Sequence, residues 1–370
     1  MADLQDELHD PPSASELPHL FATPYVPDSA PEPTATGEGD DLPARARALL
    51  AAHPVADGHS GLPRALRHLP RYDLQLGESA VDTDLPRLRE GHVGALFCAL
   101  HPTDGPALGA TLEQLDLARS VVETHPEGLR PALTAGQVLD ARNCGRVAVV
   151  LGPAGAAALD DSLGILRVLR SLGLRVLTLA GTSWASEAGL TRFGEEVVRE
   201  MNRLGVIADL SGASDATIGR ALTLSRTPVL CTRSAARALC PHPDNLSDGL
   251  LARLGAAKGL CMVPLAAEQT GPGVRDVADH LDHVRAVAGP ECVGLSGTYD
   301  SGTAHPQGLA DPSGYPHLVA ELLRRGWPET DLAMLTWGNV QRVLRGADFA
   351  ARAAQDRSQP STAKIADLDG

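Results

Sequence analysis

Val55-Ala-Asp-Gly-His-Ser-Gly-Leu-Pro63 is a short apolar run that leads into a histidine. Such a run suits a buried parallel strand, and His59 stands where that strand should end. A histidine at the C-terminal end of a barrel strand is well placed to coordinate zinc. Two residues on, a His-x-Asp pair would set a carboxylate beside the imidazole. Residue 61 is glycine, whose side chain donates no electron pair.

The same strand signal recurs along the chain. Apolar runs at Val93–Leu100, Val147–Leu151, Val176–Ala180, Val206–Leu210, Val229–Thr232, Leu260–Pro264 and Val293–Ser296 follow the first. Between them lie amphipathic segments such as Ser162–Leu172, Phe193–Leu204 and Ser214–Leu224, the last opened by an N-cap signal at Ser214-Asp-Ala-Thr217. Strands alternating with helices over some three hundred residues fit an α/β fold of the TIM-type (β/α)8 kind. Chemistry in such a barrel gathers where strands end and loops begin.

Three regions follow: an acidic, proline-rich tail over 1–42, the barrel over 43–350, and a polar, frayed end over 351–370. The formal charge is −14, yet residues 1–42 hold ten acidic residues and no Lys or Arg, leaving the remainder close to neutral. That composition predicts disorder for the tail. Its one apolar patch, Leu17–Val26, suits either loose contact with the barrel or docking to a partner. An acidic balance argues against nucleic acid and anionic membrane. No secretory signal and no apolar run of about 18 residues is read in the chain, so a cytoplasmic protein without a membrane span is expected. Its six scattered cysteines, with no Cys-x-x-Cys spacing, are expected as buried thiols.

The motifs Asp57-Gly-His59, Gly189-Leu-Thr-Arg-Phe-Gly194, Val198-Arg-Glu-Met-Asn-Arg-Leu-Gly205, Asp209-Leu-Ser211, Ser214-Asp-Ala-Thr217, Ala235–Cys240, His242–Asp248 and Leu322–Trp327 resemble the renal (membrane) dipeptidase family of metallopeptidases. The resemblance covers about residues 50 to 345. It implies a TIM barrel with two zinc ions at its mouth, a zinc-activated water that cleaves dipeptides, and a homodimer.

Carried over position by position, that resemblance leaves little of the machinery. The first ligand pair becomes His59 and Gly61; the bridging glutamate falls in Gly152-Pro-Ala-Gly155, where Gly152 stands for it and the register stays open. The histidine expected to steady the tetrahedral intermediate becomes Gly181, and two ligand histidines become Gly212 and Arg233. The arginine expected to hold the substrate carboxylate becomes Asp244, and the catalytic aspartate becomes Thr298, with Asp300 kept as a loop residue. Of these eight positions only His59 keeps its family residue, so neither a catalytic residue nor a metal ion is expected. His101 and His305 are read as ordinary loop histidines. The reciprocal change at Arg233 and Asp244 suits either a charge-assisted pair filling part of the vacated space or independent drift of the two residues. No local acid or histidine activates the hydroxyls of Ser60 or Thr182–Ser186, and Gly271-Pro-Gly273 is a turn rather than a phosphate loop.

Three functions remain open. The leading one is an inactive homologue acting as a partner or regulatory subunit, as a homodimer or as a heterodimer with a dipeptidase-like relative. The second is a dipeptide hydrolase with a remodelled or mononuclear zinc site. The third is a metal-free binder of a small molecule.

Overall fold

Each of the eight apolar runs becomes a strand: β1 Val55–Ser60, β2 Val93–Leu100, β3 Val147–Gly155, β4 Val176–Thr178, β5 Ile207–Asp209, β6 Leu230–Cys231, β7 Leu260–Pro264 and β8 Val293–Ser296. The computed structural model describes residues 41–69, 72–77, 80–101, 106–355 and 357–370. The acidic tail, apart from its last two residues, lies outside them, as does its Leu17–Val26 patch.

Neighbouring strands pair in parallel in chain order, β3 joins β2, and β1 pairs with β8 through Asp57 and Leu295, which closes the barrel. β3 runs four residues beyond its predicted end. Its first three residues pair with a further short strand, Leu129–Pro131, and its last two pair with β4. A two-stranded ribbon, Ala185–Ser186 with Gly189–Leu190, decorates the loop after β4.

Side chains alternate along each strand between two apolar layers. Ala56, Ala95, Phe97, Ala148, Val150, Val176, Ile207, Leu230, Leu260 and Met262 form one buried cluster. Trp337, Val340, Val343, Leu344 and Ala347, on the helical stretch that ends in helix Asn339–Gln355, join this cluster. Trp337 borders Gly94 at the start of β2, and Thr336 bonds the His53 carbonyl just before β1. That helical stretch therefore plugs the N-terminal end of the barrel, and the opposite end is left as the mouth. Below the plug, Asp348 pairs with the fully buried Arg175 at 2.8 Å and accepts the Ala135 N–H at 2.7 Å.

The surrounding helices begin where small hydroxyl residues can satisfy open N–H groups. Ser162, Thr191, Ser214 and Ser247 each accept from the backbone N–H three residues on. No described helix is long and apolar enough to cross a membrane.

The C-terminal end departs from expectation. Polar composition predicts a frayed segment after residue 350, but helix Asn339–Gln355 runs on to Gln355 and the chain then folds back, forming a short helix at Ile365–Leu368. Arg167 bonds the Ser361 carbonyl at 2.9 Å, and Asp369 accepts from the Thr191 hydroxyl and, at 3.1 Å, from the Phe193 N–H. Ala363, Ile365 and Leu368 lie against the apolar shell. A few apolar side chains and one carboxylate over a helix start anchor this segment.

Candidate functional site

At the mouth, β1 ends in a set of bonds made by Asp57. Its Oδ1 accepts from the Gly297 N–H at 2.7 Å and the His59 N–H at 3.1 Å, while Oδ2 accepts from the Tyr315 hydroxyl at 2.9 Å. Burial pushes this carboxyl up to about 6. Its oxygens are committed to joining β1 to the loop after β8. Across the mouth, Asp209 does the same work: it accepts from the Thr178 hydroxyl at 2.7 Å, the Thr232 N–H at 2.8 Å and the Ser211 hydroxyl at 2.8 Å.

Between these two joints lies a cavity of about 200 Å³ lined by His59, Gly61, Arg64, Ala99, His101, Arg233 and Ser301. The His59 and His101 rings lie nearly parallel, with centroids 5.8 Å apart. His59 is only 3% exposed, and its Nδ1 has no hydrogen-bond partner; neither has Nε2 of His101. Burial, then the Arg233 charge, holds His59 well below the usual imidazole range and His101 at about 4. Both rings are therefore neutral near pH 7. The Arg233 backbone N–H donates to the Ser211 hydroxyl at 2.9 Å, yet its buried Nε has no partner. Arg64 donates one guanidinium N–H to the Ser301 carbonyl at 3.1 Å.

The positions expected around this mouth separate into three groups. His59, Gly61 and Arg233 line it. Gly152 does not: its backbone has φ of 116°, and a Cβ there would stand 2.6 Å from the Val176 carbonyl oxygen, against β4. Gly155 is the glycine of that segment that meets a mouth histidine: its Cβ would lie 3.6 Å from His101 Nδ1. Gly181 and Gly212 are exposed turn residues with positive φ. Thr298 is buried behind β1, donating its N–H to the His59 carbonyl at 2.8 Å. Asp300 accepts from the Asp82 and Thr83 N–H groups at 2.7 and 3.1 Å, which ties down its own loop.

The expected Arg233–Asp244 pair does not form, since no ion pair joins them within 4.0 Å. Buried Asn245 explains this. Its side chain bonds the Ala235 N–H and the Cys240 and Gln269 carbonyls, which fixes the loop with Asp244 beside Gly212. Arg233 instead faces the two histidines.

Sequence reasoning discounted His101 and missed Arg64 as a lining residue. His101 follows β2 directly, the same strand-end position that singled out His59. His305 stays apart, with Nδ1 on the Leu265 carbonyl at 2.6 Å. Among the described residues, no three of His, Cys, Asp or Glu stand close enough to hold a metal ion.

The family profile described as membrane dipeptidase (peptidase family M19) matches residues 43–358. The chain belongs to the membrane dipeptidase family. Among family relatives, Dipeptidase 3 of Macaca fascicularis is 40% identical over 335 residues, covering 83% of this chain and 68% of that protein. Dipeptidase aclJ of Aspergillus oryzae is 35% identical, covering 83% and 81%. A metallo peptidase from Rhodobacter sphaeroides, solved with a phosphinate mimic of the dipeptide L-Ala-D-Ala, superposes with a TM-score of 0.73 at 26% identity, over 80% of this chain and 99% of that one. The dipeptidase-family barrel is thus established for this chain.

Proposed function

We propose that this member of the membrane dipeptidase family acts by binding rather than by metal-dependent hydrolysis, as a partner or regulatory subunit. The observation that carries the reading is the make-up of the mouth: two imidazoles, two guanidinium groups and no carboxylate among its described lining residues. Catalytic zinc takes about three protein ligands and an open position for water. The residues present do not fit a zinc pair. Arg233 opposes one as well, because like unit charges 4 Å apart repel by about 4 kcal/mol at an intermediate dielectric.

A barrel that keeps its outer surface while its mouth is rewritten can still associate with a second copy or with a dipeptidase-like relative. All six cysteines are unpaired, which suits a reducing compartment such as the cytoplasm. One observation favours a second reading: the stacked His59 and His101 present two imidazoles to one cavity, the beginning of a mononuclear zinc site.

Elemental analysis and dipeptide turnover, measured on one preparation, test these readings. Zinc well below one per chain with no turnover is expected. Two zinc ions per chain with turnover would overturn the proposal, and one zinc with turnover would establish the mononuclear site.

A further inference from the structure

We propose that the cavity between His59, His101, Arg64 and Arg233 is a metal-free binding site for a small organic carboxylate, held by the Arg233 guanidinium. This rests on the reading that no zinc pair occupies the mouth.

Beside the cavity, Nε of Arg233, Nδ1 of His59 and Nε2 of His101 are buried without a partner among the described residues. The cationic lining of the cavity, rather than these atoms, is what an occupant meets. The charge of the wall fixes its sign. Arg64 and Arg233 are cationic, no carboxylate is among the described lining residues, and Arg233 forms no ion pair within 4.0 Å among the described residues. A concave wall of one sign concentrates the opposite charge.

Shape narrows the class. A guanidinium is a planar fork whose donors match the two oxygens of a carboxylate. The cavity of about 200 Å³ has room for roughly six waters, or one compact organic molecule. Ala99 and Gly61 leave part of the wall apolar and small, which accommodates a short organic body behind the carboxylate.

Gly155 supplies an internal control. Its backbone, at φ −71° and ψ 145°, accepts any side chain, and its Cβ would make an ordinary contact with His101. Gly155→Glu would set the chain's own carboxylate beside His101.

The test uses the full chain, first assayed for zinc and then titrated calorimetrically with acetate, N-acetylglycine and inorganic phosphate at matched ionic strength in sodium chloride. Saturable one-to-one binding of N-acetylglycine or acetate is expected. Arg233→Gln should weaken it about tenfold or more, since hydrogen bonds to charged groups are among the strong ones. Gly155→Glu should abolish it and raise the unfolding temperature. Both variants are checked by circular dichroism, and the Arg233 side chain forms no hydrogen bond whose loss would unfold the barrel. A zinc-free chain that binds neither carboxylate overturns this proposal alone. So does binding unchanged in Arg233→Gln, or phosphate binding tighter than both carboxylates. Zinc at one or two per chain overturns the reading beneath it instead.

Discussion

A Cβ built on Gly61 would stand 2.4 Å from the carbonyl oxygen of Asp300 and 3.0 Å from the Cα of Ser301. The loop after β8 stands in the space that a ligand aspartate at residue 61 would need. Gly61→Asp should therefore fail to restore zinc uptake. It should also destabilise the barrel by about 1–3 kcal/mol, the usual cost of overpacking. Denaturant unfolding with zinc titration checks both; tight zinc binding with unchanged stability would show that the loop yields freely.

Asp348 offers a second measurement. It is the partner of a fully buried guanidinium and also accepts a backbone N–H. Removing one member of a buried pair leaves the other uncompensated, so Asp348→Ala should cost about 3–5 kcal/mol in chemical unfolding. The double variant Arg175→Met with Asp348→Leu should recover most of that loss.

His280 gives a pH signature away from the mouth. Its Nδ1 accepts the Ala236 N–H at 3.1 Å, and burial lowers its pKa to about 4 from the usual 6.5. The folded state favours the neutral ring, so its stabilising contribution is complete above pH 6.5 and fades as pH falls toward 4. His280→Asn keeps an acceptor but does not titrate. The stability advantage of the natural chain over this variant should shrink by on the order of 3 kcal/mol between those limits. A constant difference across the range would contradict the assignment.

The C-terminal fold-back predicts a local effect. Asp369 caps the start of helix Arg192–Leu204 from outside by accepting from Thr191 and the Phe193 N–H. Asp369→Ala should cost about 1 kcal/mol, as lost caps do. Amide exchange should quicken at Phe193 and Gly194 before it quickens in the barrel strands.

The barrel was legible because its signal is local. Each strand is a continuous apolar run, and both faces of a parallel barrel strand are buried, so the pattern survives without an alignment. Ser214 announced a helix start that the structure places there. The mouth was less legible because its composition depends on direction. Gly152 and Gly155 sit three residues apart on one strand, and only the paired register shows that the first meets β4 while the second meets His101. Arg233 and Asp244 looked complementary as charges, but Asn245, an amide with no charge signal, settles where the loop goes. His101 was visible as a strand-end histidine, and nothing local told it apart from His305.

Asp57 and Asp209 gather the rim with bonds to backbone amides and hydroxyls of their own polypeptide. Each of these joints is closed by protein donors on a carboxylate. Whatever occupies the opening can be exchanged while the frame stands, so the trade of such a barrel can be rewritten by a handful of side chains above a foundation that never depended on it.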